Sequence, residues 1–333
     1  MGGEPSTSRT GSLLGLDLGR RYGGLGFFGD GGEIVYKKIP AGPDFVERAC
    51  ALAGFIPGVL VIPGGSYVVG SQRVFPVGEE IAALARGCED SWHPRNLLTC
   101  MAWEYGAKAG CKVMAVGTMT GAPLSQEARL SGLPGYCRRT VYHVLEHREA
   151  IRAAGEATGE NLAQKNVIVV YSGEETSVAC HAAGTVVECT DPLAGEGPFG
   201  LRAAGTLPAT ALVDAFFANQ LGDNPEELLS CRSGVMAYAG TTDEEELASL
   251  VEGKDEKSLR AVRGMAYQIC KEIGRAVATL AGAVDLIILA GPVFSLGEVV
   301  DFVRLRVEKW APVTVVAGEL VIPALLRAVA GGG

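Results

Sequence analysis

The chain has 333 residues, 48% of them hydrophobic and 20% charged, with 46 glycines and a formal net charge of −9. That length exceeds one ordinary core and suits two domains, and the glycines point to an α/β protein with many tight turns. The acidic balance, with no run of Lys or Arg, excludes a basic nucleic-acid surface and docking on anionic membranes, and no apolar stretch reaches the roughly 20 residues that span a bilayer.

The first residues, MGGEPSTSRTGS, are small and polar and lack the apolar core of a signal peptide. They read as a disordered leader over 1–11, matched by a frayed Gly331–Gly333 tail. The next stretch, LLGLDLGRRYGGLGFFGDGGEIVYKKI, predicts strands over 13–17, 25–28 and 33–39 joined by glycine turns, so the fold opens on a β-meander. Strands over 58–62 and 111–116 then alternate with helices over 78–86, 97–109 and 140–158.

The rhythm restarts after residue 161, with strands over 167–171, 177–182 and 185–189. Helices follow over 209–219, 243–250 and 255–281, the last with apolar residues at helical spacing from Leu259 to Val277. The run VDLIILAGPVF is a continuous apolar strand of the kind buried in a parallel sheet. A helix over 299–310, a strand over 313–316 and a closing helix over 322–329 end the chain. Two halves built alike suggest a duplicated fold. The domains expected are 12–160 and 161–318, with 319–333 as closing helix and tail.

Nine cysteines are dispersed with no C-x-x-C pair, which suits reduced thiols in the cytoplasm. The densest group, Cys88, His93, Cys100 and Cys111, has no metal-site spacing and reads as unliganded thiols.

The stretch YSGEETSV, 171–178, raises the sharpest question. A strand ending in a glycine turn is a common phosphate site, because backbone N–H groups line up there. This turn instead carries Glu174 and Glu175. Beside a triphosphate each carboxylate repels by roughly 1 kcal/mol in water and about 4 kcal/mol at an effective dielectric near 20. Three readings stand open: the glutamates weaken phosphate binding, they turn to water, or they hold a cation.

The segments LSGLPGYCRRTVYHVLEHREAIRAA, DPLAGEGPFGLRAAGTLP, SGVMAYAGTTDEEEL, KSLRAVRGMAYQICKEIG and VDLIILAGPVFS resemble, in order and spacing, the acetate and butyrate kinase family. The resemblance runs from about Ser131 to Glu319 and is patchy before that. It implies two ribonuclease-H-like domains of the sugar kinase, Hsp70 and actin fold, with an interdomain cleft. It also implies phosphoryl transfer between ATP and a short-chain carboxylate, with Mg2+. The partners it implies are a small-molecule carboxylate or nucleotide and a second copy of the chain, as a cytoplasmic homodimer.

Carried over residue by residue, the resemblance makes His143 the contact to the transferring phosphoryl, with Arg202, one residue before the family's arginine position, as the second catalytic candidate. It places Asp17, Gly19 and Arg20 at the first phosphate loop, with Asp17 also towards the metal. Gly173 and Glu174 fall at the second loop, Gly291 and Pro292 at the adenosine side, and Glu196 and Gly197 at the substrate side. Arg20 and Arg21 either meet phosphates or point to solvent. Glu196 reads as a turn-capping or orienting group, and Val293 and Phe294 pack against a base or fill the core.

Several positions depart from the family pattern. Pro63 and Ala203 stand for arginines, Gly117 for an aspartate, Tyr171 for a histidine, and Glu174 and Glu175 for glycines. These losses keep a second reading alive, a non-catalytic relative that binds a nucleotide or acyl metabolite or serves as a partner subunit. A third is a kinase or hydrolase with another acceptor, in which Asp17, Glu174 and Glu175 hold a metal.

Overall fold

The computed structural model describes residues 12–67, 73–88, 91–117, 124–138, 142–241 and 243–331. The leader expected over 1–11 and the last two residues of the expected tail lie outside them. The chain forms two compact units, Met1–Thr120 with Leu320–Gly333, and Gly121–Glu319.

The first unit is built on six strands: β1 (Leu13–Leu18), β2 (Tyr22–Phe28), β3 (Ile34–Pro40), β4 (Val59–Pro63), β5 (Val74–Pro76) and β6 (Lys112–Val116). Their order in the sheet is β3-β2-β1-β4-β6-β5. The meander pairs antiparallel, and β1–β4 and β4–β6 pair parallel. Leu14, Leu16, Leu25, Leu60 and Ile62 form one core with Phe45 and Val46 of the helix Phe45–Ala53 and Leu98 and Ala102 of the helix Pro94–Ala109.

Strand β2 begins at Tyr22, so the glycines expected as a turn lie inside it. The reason is close approach. A Cβ at Gly23 would lie 2.4 Å from the Phe45 ring and one at Gly26 2.4 Å from Ile322 Cγ2. Ile322 belongs to the closing helix Val321–Ala330, which packs on β1, β2 and β4. The last helix therefore completes the first unit, through Val321, Ile322, Leu325 and Leu326, all buried.

The second unit holds β7 (Val167–Ser172), β8 (Thr176–Ala182), β9 (Thr185–Cys189), β10 (Leu286–Gly291) and β11 (Val313–Ala317), in the order β11-β10-β7-β8-β9. This repeats the first sheet, an antiparallel meander extended by parallel strands from its first member. Every residue of β10 is buried, as a strand covered on both faces requires. Ile168, Val170, Val178, Ile287 and Leu289 join Val262, Met265, Ile269 and Ile273 of the long helix Glu256–Thr279 in one core. Alternation turns Val167 and Val169 to the other face. The helix Val144–Thr158 packs on β7, β10 and β11. Residues 144–158 thus belong with the second unit, and the division falls near 120 where the sequence suggested 160.

Candidate functional site

The first loop leaves the end of β1. Gly19 N–H donates to Tyr22 O at 2.9 Å, closing a tight turn that leaves Arg20 half-buried and Arg21 exposed. Arg20 lies over the Trp92 ring at 4.6 Å and Arg21 over Tyr22 at 5.6 Å. Asp17 Oδ1 stands 3.6 Å from Arg95 Nε, both side chains mostly buried. Arg95 is a residue the sequence reading missed. Its signal was position: a cation in the first turn of the helix Pro94–Ala109 opposes the helix dipole unless a carboxylate faces it.

Asp17 is the carboxylate that resemblance directs to Mg2+. A single carboxylate paired to a guanidinium is not the oxygen cage a hard cation takes. Among the described residues no group of three or more His, Cys, Asp or Glu side chains is arranged to hold a metal. Among the described residues, the carboxylate of Asp17 does not by itself make such a cage. Beside this loop the GGSY turn is fixed by Asn96, which accepts from Ser66 N at 3.1 Å and donates to Ser66 Oγ at 2.8 Å. Pro63, at the end of β4, is buried.

The second loop is the hairpin between β7 and β8. Gly173 N–H donates to Glu175 O at 2.9 Å, and the Ser172 and Thr176 hydroxyls bond at 2.7 Å behind it. The turn is bolted to residues 200–203. Leu201 N–H donates to Gly173 O, and the N–H groups of Arg202 and Ala203 both donate to Glu174 O, at 3.0–3.1 Å. Gly200 allows this approach, since a Cβ there would lie 2.3 Å from Glu174 O.

The side chains answer the question posed by the two glutamates. Glu174 Oε1 lies 3.5 Å from Arg202 Nε, and Glu175 Oε2 lies 4.0 Å from His143 Nε2. Each carboxylate thus has a basic group of the protein in front of it. For Glu174 the guanidinium is an opposite charge worth about 4 kcal/mol at an effective dielectric near 20 before desolvation, whereas His143 is a charge towards Glu175 only when protonated. Ala203, where the family arginine was expected, is buried and contributes its backbone N–H to the turn.

His143 precedes the first turn of the helix Val144–Thr158 and does not cap it with its side chain. Its ring stacks on Tyr171 at 4.6 Å between centroids, and its Nδ1 lies 2.8 Å from Ser177 Oγ. Ser177 Oγ also lies 2.9 Å from Nε2 of His147, one helical turn on. Ser177 and His147 are fully buried. Gly291 adopts φ 101°, and a Cβ there would lie 2.9 Å from the Tyr171 ring, so only glycine lets β10 end beside it. Pro292 opens a single 3-10 turn, and Val293 and Phe294 fill the core of the unit.

Glu196 is occupied by Arg138. The guanidinium meets Glu196 through Nε and Nη2 at 2.8 Å each, and Glu188 through Nη1 and Nη2 at 3.0 and 2.7 Å. Glu196 also accepts from Asp191 N at 3.2 Å, so it orients its loop. Gly197, at φ 88°, follows with its N–H bonded to Thr206 Oγ1. Buried thiols add no nucleophile here, because burial pushes Cys180 and Cys189 up to about 12.

Two further histidines share this side of the sheet. Burial holds His147 well below its ordinary range, with His181 and His143 adding to the effect. Burial, aided by Arg148, pushes His181 down from 6.5 to about 4. Between pH 6.5 and about 4 the unfolded chain therefore binds more protons than the folded one. Stability is present above that window and is lost as pH falls through it. Acidification from neutral pH is expected to remove about 3 kcal/mol through His181 alone. Urea midpoints read by circular dichroism measure it. The His181→Phe protein should lose correspondingly less, and parallel pH profiles for the two proteins would contradict the assignment.

Two sheets of like strand order, with a histidine and a glycine turn meeting on the second, define a fold that comparison with known proteins places. A propionate kinase from Francisella tularensis superposes with a TM-score of 0.74 at 12% identity over 95% of this chain and 98% of its own. Acetate kinase from Porphyromonas gingivalis gives 0.70 at 16% identity over 96% and 98%. The fold is thus the two-domain, ribonuclease-H-like acetate kinase fold. In sequence, the chain is 31% identical to a protein of Enterococcus faecalis named "Probable butyrate kinase", over 80% of this chain and 72% of that one. It is 32% identical to the like-named protein of Coprothermobacter proteolyticus, over 75% and 70%. The acetokinase family model matches residues 134–312. The chain belongs to the acetokinase family. That match contains His143, the second loop, Arg202 and Gly291, and leaves Asp17 and the first loop outside it.

Among the described residues no helix is long and apolar enough to cross a membrane.

Proposed function

We propose that the protein transfers a phosphoryl group between ATP and a short-chain carboxylate, with butyrate the first acyl group to test. The observation that carries this reading is His143. It stands at the second phosphate loop, held from behind by Ser177, and its Nε2 points to the side where Glu175 lies. Arg202 pairs with Glu174 at the second loop and Arg95 with Asp17 at the first, where Arg20 and Arg21 also stand. Charge on a transferring phosphoryl is stabilised by donors and cations placed in advance. ATP, supplied with Mg2+ as the nucleotide's own counter-ion, is the donor this reading takes from the family. A homodimer in the cytoplasm is taken over likewise. The helix Ala209–Phe217, apolar and without a buried residue, is a face suited to a second copy.

One observation favours a second reading, a relative that binds a nucleotide or acyl metabolite without turning it over. The Gly173 N–H is bonded within the turn and Arg202 is engaged by Glu174, so two groups suited to a phosphate already have internal partners. Purified protein given butyryl phosphate, ADP and Mg2+, with ATP followed by luciferase, separates the two. ATP formation that vanishes in His143→Ala supports the kinase. Identical traces from both proteins, with ADP binding still seen by calorimetry, support the binding protein.

The ion pair at the loop makes a further prediction. Glu174→Gly removes a carboxylate and releases Arg202, and is expected to lower the KM for ADP about tenfold. Arg202→Ala leaves Glu174 uncompensated and should raise it by a similar factor. Additive effects would return the double variant to about the wild-type KM, and because the two side chains share one interaction its KM should depart from that value. An additive pair of effects, measured in the same ATP assay, would show that the two side chains act separately.

A further inference from the structure

Ser177 Oγ sits between two imidazole nitrogens, 2.8 Å from His143 Nδ1 and 2.9 Å from His147 Nε2, with both Ser177 and His147 fully buried. A serine hydroxyl carries one proton and gives it to one partner only, so the other ring must donate to it. Two arrangements satisfy both contacts. In the first, Ser177 donates to His147, and His143 donates from Nδ1 to Ser177. In the second, His147 donates from Nε2 to Ser177, and Ser177 donates to His143 Nδ1.

Two independent features choose between them. His147 Nδ1 is buried without a hydrogen-bond partner. The first arrangement puts the ring's proton on that nitrogen and creates an orphaned buried N–H, which is rarer in proteins than an unmet acceptor. The second leaves only a lone pair there. At the far end of the chain of contacts, Glu175 Oε2 lies 4.0 Å from His143 Nε2. The first arrangement points a bare nitrogen lone pair at that carboxylate, and the second points an N–H at it. Both features select the second.

We propose that His147 and Ser177 are positioning residues that fix neutral His143 as its Nε2–H tautomer, so that it meets the second phosphate loop as a hydrogen-bond donor. The helix and strand make this arrangement from sequence. Four residues separate His143 from His147, one helical turn, so their rings lie one above the other. Alternation along β8 puts Ser177 on the face of Ala179, opposite Val178, whose side chain fills the main core. One hydroxyl on the sheet therefore reaches both rings of the helix. The chemical consequence, which rests on the kinase reading above, is that His143 donates a hydrogen bond to a phosphoryl oxygen without first taking up a proton. With Nε2 protonated and Nδ1 bonded to Ser177, it is neither base nor nucleophile towards that group.

Imidazole 15N NMR of uniformly labelled protein tests this without turnover. The chain has four histidines, so single His→Gln variants assign the spectrum. Wild-type protein should show His143 with a protonated Nε2 and an unprotonated, hydrogen-bonded Nδ1, and His147 likewise protonated on Nε2. Ser177→Ala should let the His143 signals average between tautomers. Ser177→Thr, which keeps the hydroxyl, should restore the wild-type pattern and shows that loss of folding is not the cause. In the ATP assay Ser177→Ala is expected to lower kcat roughly ten- to a hundredfold with little change in the KM for ADP. A His143 protonated on Nδ1 in the wild type, or a tautomer unchanged in Ser177→Ala, would overturn the proposal. If the wild-type protein makes no ATP, the kinase reading fails and the spectrum still decides the tautomer.

Discussion

His143→Ala is expected to cut ATP formation from butyryl phosphate and ADP by about 10²- to 10³-fold, with the KM for ADP changed only a few-fold. The size follows from removing one preorganised donor aimed at developing charge in a partly buried site. The split between kcat and KM follows from position. On the proposed kinase reading the side chain meets the transferring group, and an interaction made only in the transition state lowers kcat when it is lost. A structural explanation would require the helix Val144–Thr158 to lose its start. His143 makes no side-chain capping hydrogen bond, so little of the helix's stability depends on the ring. Unfolding midpoints for His143→Ala should therefore reflect only the loss of the Ser177 hydrogen bond and the Tyr171 ring contact, about 1–2 kcal/mol, and not loss of the helix. His143→Asn, which retains an N–H at shorter reach, should recover part of the rate. Equal kcat in the wild-type and alanine proteins would remove His143 from the mechanism.

Much of the fold was legible because its physics is local. The parallel strand Leu286–Gly291 reads as an unbroken apolar run, and burial on both faces demands one. The long helix carries its apolar residues at helical spacing, and the same residues form the core with β7, β8 and β10. What stayed hidden depends on partners distant in sequence. The glycines of β2 look like a turn until Phe45 and Ile322 occupy the space their side chains would need. The closing helix looks like the end of the second half, yet its buried leucines lie on the first sheet. Short elements such as Val74–Pro76 and Gly234–Ala239 carry too few residues for a periodic signal.

The site divided along the same line. His143 became a candidate through the resemblance of RRTVYHV to a family motif, and the glycine turn through its place at a strand end, because both are short-range patterns. Their supports were not. Arg95 lies 78 positions from Asp17, and Arg138 lies 50 and 58 positions from its two glutamates. No spacing rule connects such pairs. The acidic turn looked hostile to a phosphate for the same reason, since Arg202 comes to Glu174 only after the 200–203 loop has folded onto the hairpin. Ser177 stood inside the very stretch that drew attention. Its signal was strand alternation, which sets it on the face opposite Val178.

Arg138→Met is expected to destabilise the second unit by about 3–5 kcal/mol. The guanidinium bonds Glu196 and Glu188 in bidentate fashion and reaches the carbonyls of Ala128 and Cys189, at 2.8 and 3.0 Å. All three charged side chains are largely buried, at 18%, 14% and 25% exposure for Arg138, Glu188 and Glu196. Screening by salt is correspondingly weak, so the loss should persist at high ionic strength. The cost comes chiefly from what remains, two carboxylates sharing a site with no cation between them. Arg138→Lys should recover only part of it, because an ammonium lacks the planar fork that serves both carboxylates at once. Combining Arg138→Met with Glu188→Leu and Glu196→Leu should recover more, since no unpaired charge is then left. Guanidinium chloride unfolding of the four proteins measures this order, and a triple variant no more stable than Arg138→Met would refute the charge argument. The effect should reach the chemistry as well. Glu196 orders the segment that runs on through Gly197 to Arg202, and that segment clamps the Glu174 turn. Folded Arg138→Lys protein should therefore bind ADP more weakly while His143 keeps its tautomer, because the clamp is loosened and the Ser177 contact is not.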